Sequence, residues 1–157
     1  MRAILEDIQR GGLLMWQTPK TDWTSVDVYL AGDLNRVESN TMYIRDKLLQ
    51  AGYFIPEMII KTDWVQQDVL FAEDFNRIEN NVKSIADVYY SNSEFESFKT
   101  DWVSMDSVDY TFANRVERNL KILYEMLLGM RSRYVYCGVG ILGANRIYQN
   151  RWRCYSD

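Results

Sequence analysis

The chain has 157 residues, 47% of them apolar and 25% charged, with a formal net charge of −4 and no histidine. That length holds one ordinary domain with a real core, and two Pro and eight Gly are too few for a low-complexity or disordered chain. Without histidine, Ser-His-Asp and Cys-His nucleophile systems and histidine metal ligands are excluded. The two cysteines, Cys137 and Cys154, are too few for a structural zinc site.

The opening MRAILEDIQRGG predicts a short helix over about 2–10. Acidic residues interrupt its apolar stretch, so it does not read as a secretory signal. No run approaches the roughly 18 apolar residues that a membrane-spanning helix needs.

From residue 20 the chain repeats itself. Lys-Thr-Asp-Trp occurs at 20–23, 61–64 and 99–102, so the copies lie 41 and 38 residues apart. Asp27, Asp68 and Asp106 each follow the Trp by four residues, and Asn35, Asn76 and Asn114 follow it by twelve. NRVESN, NRIENN and NRVERN then align, giving the unit K-T-D-W-x3-D-x7-N-R-[VI]-E-x-N. No insertion falls inside a unit, which predicts the same local geometry three times, over units of about 16–52, 53–92 and 93–130.

The first half of each unit is too short and polar for a helix and reads as an extended stretch ending in an Asp-stabilised turn. Trp23, Trp64 and Trp102 are expected to pack against the helix that follows, burying on the order of 200 Å² each. In the second half, apolar positions fall at −1, +2, +6, +9 and +13 from the repeat Asn, a helical stripe. Leu34 and Phe75 extend that stripe, so these helices should begin a turn before the Asn, with Asp33 and Asp74 at their positive ends. In the third copy Phe112 takes this place, and Asp109 and Thr111 are the cap candidates. Gly52 and Gly129 are the expected C-terminal stops. Connectors of about twenty residues are long enough to run back along a 30 Å helix, which permits parallel helices related by a pseudo-threefold axis or a superhelical step.

From 131 the pattern stops. RYVYCGVGI and RIYQNRWRCY read as a β-hairpin around LGAN. A turn centred at Asn145–Arg146 would place Cys137 opposite Cys154, although free thiols are expected of a protein made in the cytosol. Residues 1–130 carry 13 basic and 21 acidic side chains, whereas 131–157 carry five Arg and one Asp. An acidic body with a basic tail suits contacts between subunits; five Arg in an acidic chain are a small footprint for nucleic acid.

The repeated polar residues admit three roles. Arg36, Arg77 and Arg115 can pair with Asp22, Asp63 and Asp101, or with Asp27, Asp68 and Asp106, while the Asn side chains satisfy turn backbone. Alternatively, each Trp with its Asp and Asn forms a sugar platform, or the paired carboxylates hold Ca²⁺, although the EF-hand spacing is absent. The first role is the expectation, so no cofactor, metal or catalytic residue is assigned.

WQTPKTDW followed by DLNRVESN and DFNRIENN resembles minor structural proteins of phages and prophages of Gram-positive bacteria, in which W-x-x-P-K-T-x-W and D-[LFY]-N-R-I-x-x-N recur. The resemblance covers about residues 16–130. It implies a non-enzymatic component of a virion (tail, baseplate, collar or appendage), assembled in the host cytoplasm and in contact with other virion proteins. The expected fold is mainly α: three extended-segment-plus-helix units packed as a bundle over 1–130, with a basic C-terminal hairpin over 131–157. The chain is expected to form homo-oligomers without binding nucleic acid or membrane, and Arg151, Trp152 and Arg153 are the candidate interface. The alternative is a carbohydrate- or receptor-binding module that attaches the particle to a host glycan.

Overall fold

The computed structural model describes residues 15–89 and 94–138, with side chains for 15–88 and 94–129. Among the described residues there are three helices, α1 (Ala31–Gln50), α2 (Ala72–Tyr89) and α3 (Tyr110–Gly138), and each packs against the other two. No strand occurs among the described residues. The expected helix over 2–10 lies outside them, as do Cys154 and most of the expected hairpin.

The helix starts follow the local chemistry. In α1 and α2 the third helical residue reaches back: Asp33 accepts from the Leu30 amide at 2.9 Å and Asp74 from the Phe71 amide at 3.1 Å. Each carboxylate satisfies a donor that has no helical partner and sits at the positive end of the helix dipole. In α3 that position is Phe112, and Asp109 caps from in front by accepting from the Thr111 amide at 2.9 Å. Phe112 is thereby released into the core, where it meets Phe75 and Trp102 edge-on at 4.9 and 5.8 Å.

The ends differ from each other. Gly52 has φ +85° and closes α1 in a Schellman motif, its amide donating to Leu49 O and the Tyr53 amide to Leu48 O, both at 3.0 Å. Gly129, expected to be a stop, lies inside α3, which continues to Gly138. Residues 131–138, assigned above to the hairpin, are therefore helical. Their aromatic and β-branched residues suit a strand, but a glycine ends a helix only when the chain turns left-handed there, and at Gly129 it does not.

The helical stripe forms the core. Ile44, Leu48, Val82, Ile85, Leu120 and Leu123 are fully buried, joined by Leu34, Val37, Ile78, Val116 and Leu127. Thr41, the one polar member, is buried and donates its hydroxyl to Val37 O at 2.8 Å. Burying a Val, Leu or Ile side chain contributes about 1.5–3 kcal/mol, so these rows hold the bundle together.

The helices run parallel. Arg36 and Glu117, the sixth residue of α1 and the eighth of α3, pair at 2.6 Å. Seven residues further along both helices, Tyr43 and Tyr124 lie 6.1 Å apart, both beside Trp16. The same sixth-to-eighth pairing joins α2 to α1 (Arg77–Glu38, 2.7 Å) and α3 to α2 (Arg115–Glu79, 2.6 Å). Three equivalent junctions that return to the start define a closed ring about a pseudo-threefold axis, not an open superhelical step.

Candidate functional site

The repeated residues gather where the three helix N-terminal halves meet. Each first Asn of the motif clamps the Trp backbone of the next unit. Asn35 bonds the Trp64 amide and carbonyl at 2.8 and 3.0 Å, and Asn76 bonds those of Trp102 at 2.8 and 2.9 Å. Asn114 returns to Trp23 at 2.9 and 2.8 Å, closing the ring across 91 residues of sequence. The second Asn acts within its own unit. Asn40 clamps Gln17 at 2.9 and 2.8 Å, and Asn119 clamps Glu96 at 2.9 and 3.0 Å. Asn81 donates to Ile59 O at 2.7 Å. An extended chain without a sheet neighbour has backbone groups to satisfy, and a side-chain amide, with one acceptor and two donors, stands in for the missing strand.

The Trp side chains are buried, with 5–7% of their surface exposed. Two cations of the same unit flank each ring. Lys20, Lys61 and Lys99 place Nζ 4.2, 3.9 and 4.6 Å from the ring centres, and Arg36, Arg77 and Arg115 lie 6.0, 5.9 and 5.8 Å away. Cation–π attraction favours this arrangement.

The arginines do not take the partners expected of them. Each pairs with the motif Glu of the preceding unit, and Arg36 also reaches Asp33 at 2.8 Å. Asp27, Asp68 and Asp106 serve their own turns instead. They accept from the Thr24, Val65 and Val103 amides at 2.8, 3.1 and 3.2 Å and pair with Lys20, Lys61 and Lys99 at 2.6, 2.8 and 2.9 Å. Asp22, Asp63 and Asp101 are exposed. The geometric reason is topological: the turn Asp lies seven residues from its Lys within one turn, whereas the Arg on the helix faces the adjacent helix of the ring.

Glu38, Glu79 and Glu117, present in every copy of the motif, are the central acids of the site, at most 1% exposed. Their spacing, three residues after the Asn on the face bearing the apolar stripe, was the available signal. Glu117 is the best satisfied, accepting from the Lys20 amide at 2.8 Å, the Trp23 indole at 3.1 Å and two Arg36 nitrogens at 3.2 and 2.6 Å. At the Glu38 junction the guanidinium is near but off line, and the Trp64 and Trp102 indole N–H groups lack a well-directed partner. The best-bonded junction is thus the one joining units that are not adjacent in sequence.

Burial pushes the Glu38 and Glu79 carboxyls up from their ordinary values, opposed by Arg77 and Arg115 respectively. Hydrogen bonds from Lys20 and Thr24 hold Asp27 down at about 2, and Lys61 and Lys99 lower Asp68 and Asp106. Burial at Arg36 works against its charge, but Glu117 and Asp33 outweigh it and raise the guanidinium further.

Among the described residues there is no cluster of acids and cysteines able to hold a metal and no helix long and apolar enough to cross a membrane. One shallow cleft of about 240 Å³ lies between the first and second turns, lined by Tyr29, Leu30, Leu34, Trp64, Val65 and Leu70 among others. Arg151, Trp152 and Arg153, the candidate interface, lie outside the described residues. Comparison with protein-family models, with curated proteins and with solved structures finds no match to this chain.

Proposed function

We propose that this chain is a non-enzymatic assembly component of a phage virion, a rigid scaffold whose exposed ends contact other virion proteins and further copies of itself. The observation that carries the non-enzymatic part is where the repeat's polar side chains go. The first Asn of every copy is bonded to main chain, and every Arg faces a buried Glu. Each indole is buried between helix and turn, so these side chains are committed to holding the fold. The likeness of WQTPKTDW and the D-x-N-R motifs to phage structural proteins supports the virion part.

A glycan-binding module needs an exposed aromatic face for stacking, and the three repeat tryptophans offer none. Trp64→Ala separates the two readings: a structural indole costs about 3–5 kcal/mol on truncation, measured by urea unfolding. Loss of glycan binding with unchanged stability would favour the module. The virion assignment is tested on particles of the phage or prophage that encodes the chain, purified by density gradient and probed with antibody to the recombinant protein. Co-purification with intact particles or tails is expected; a chain found only in the soluble lysate would overturn it.

A further inference from the structure

The closed ring makes the molecule's two ends unlike. Each turn after a Trp is held at one side by the Asn clamp near a helix start and runs directly into the next helix start. All three turns, 24–30, 65–71 and 103–109, therefore lie at the helix-N-terminal end. They form a crown in which Val28, Leu30, Val69, Phe71, Met105 and Val108 are between 42% and 93% exposed. Large apolar side chains exposed together at one end of a molecule suit an interaction site. In and beside the crown the carboxylates of Asp22, Asp63, Glu73, Asp101 and Asp109 are exposed, whereas those of Asp27, Asp68 and Asp106 are paired with Lys20, Lys61 and Lys99.

The opposite chemistry is found in the last nineteen residues. Residues 139–157 carry Arg146, Arg151 and Arg153 with Tyr148, Trp152 and Tyr155, and one acid, Asp157. They follow α3, whose 29 residues carry its end about 43 Å from the crown. To reach the crown of its own chain, a segment starting there would have to double back over that length. In an end-to-end stack it starts beside the crown of the next copy.

We infer that the crown is the docking surface for the Arg-rich C-terminal segment of a second copy, giving head-to-tail association. Arginines face the exposed carboxylates of Asp22, Asp63 and Asp101, and the aromatics cover the exposed Val and Phe side chains. The cleft between the first and second turns is below the roughly 300–1,000 Å³ of small-molecule pockets and suits a single aromatic anchor. The contact is heterologous, so it propagates instead of closing as a twofold dimer. This deepens the assembly reading by naming the partner and the face.

Complementation between two full-length variants tests it. Asp63→Lys/Phe71→Ser alters only exposed positions in and beside the crown, and Arg151→Glu/Arg153→Glu alters only the tail; Val69→Thr/Asp101→Lys is a second variant of the same face should the first fold poorly by circular dichroism. In sedimentation over roughly 1–200 μM, the range of a weak-to-moderate interface, the parent chain should grow in mass with concentration. That growth should fall at least about tenfold in affinity at high salt. Each variant alone should remain monomeric, and an equimolar mixture should form a one-to-one dimer, because one intact crown then meets one intact tail. A parent chain that stays monomeric, a mixture that stays monomeric, or variants that associate like the parent would overturn the docking. Particles that contain the chain while the purified chain stays monomeric would defeat the docking and leave the virion assignment standing.

Discussion

At the scale of single residues, the Arg–Glu junctions are buried ion pairs, and their worth depends on what is removed. Glu79 is fully buried and Arg115 bonds it through Nε and Nη2 at 2.8 and 2.6 Å. Arg115→Leu leaves a carboxylate without its countercharge in a low-dielectric site and should cost about 3–5 kcal/mol. Adding Glu79→Leu should recover most of that loss, since apolar replacement of both partners is often neutral. Urea unfolding of the two single variants and the double variant checks this; a double variant as unstable as Arg115→Leu would mean that the pair, not the unpaired charge, carries the stability. The two kinds of carboxylate also give opposite pH dependences. Asp27 has a folded value of about 2 against an ordinary 3.8, so its contribution is present above 3.8 and is lost as pH falls towards 2. Glu38 and Glu79 are raised above 4.5, so the folded state binds their protons more tightly and stability is lost as pH rises through their folded values. Urea midpoints should therefore be highest in mild acid. Asp27→Asn should flatten the decline towards pH 2, and Glu79→Gln should flatten the decline towards neutrality.

At the scale of elements, two glycines have opposite expected responses to the same change. Gly52 holds φ +85° as the Schellman residue of α1, where a Cβ is strained; Gly52→Ala should destabilise by roughly 1 kcal/mol or more. Gly129 sits within α3 and a Cβ there meets nothing within 4 Å; Gly129→Ala should stabilise by roughly 0.5–1 kcal/mol. Thermal midpoints of the two variants should move in opposite directions. These same residues show what was legible in the sequence. Helix phase was, because the stripe from Leu34 to Leu48 and its counterparts is a local periodicity that the core then buries. The cap of α3 was legible in part, since Asp109 was one of two candidates offered. The span of α3 was not: a glycine signals a stop only through a conformation that the sequence does not display. The partner of each Arg was not legible either. Asp27 is near Arg36 in sequence, but Glu117, 81 residues away, becomes its neighbour only once the ring closes.

At the scale of the whole molecule, ring closure changes how the repeats share stability. In an open solenoid each repeat contacts only its neighbours and a shortened array can stay folded. Here units 1 and 3 touch directly, through the Asn114 clamp on Trp23, the Glu117 cluster and the Arg118 guanidinium on Thr21 O at 3.1 and 3.0 Å. Removing unit 3 would expose the core rows of both α1 and α2, orphan the Trp23 backbone and leave Arg36 without Glu117. It would also leave Asn76 with no Trp102 to hold. A chain ending at residue 92 is therefore expected to lose helical circular dichroism and show no cooperative unfolding transition, whereas the full chain unfolds in a single step seen alike by circular dichroism and Trp fluorescence. A two-unit fragment with a sharp transition and native-like helicity would show that the units are stable in pairs. The junction between units 3 and 1 would then be an added contact and not the closure on which the other two depend.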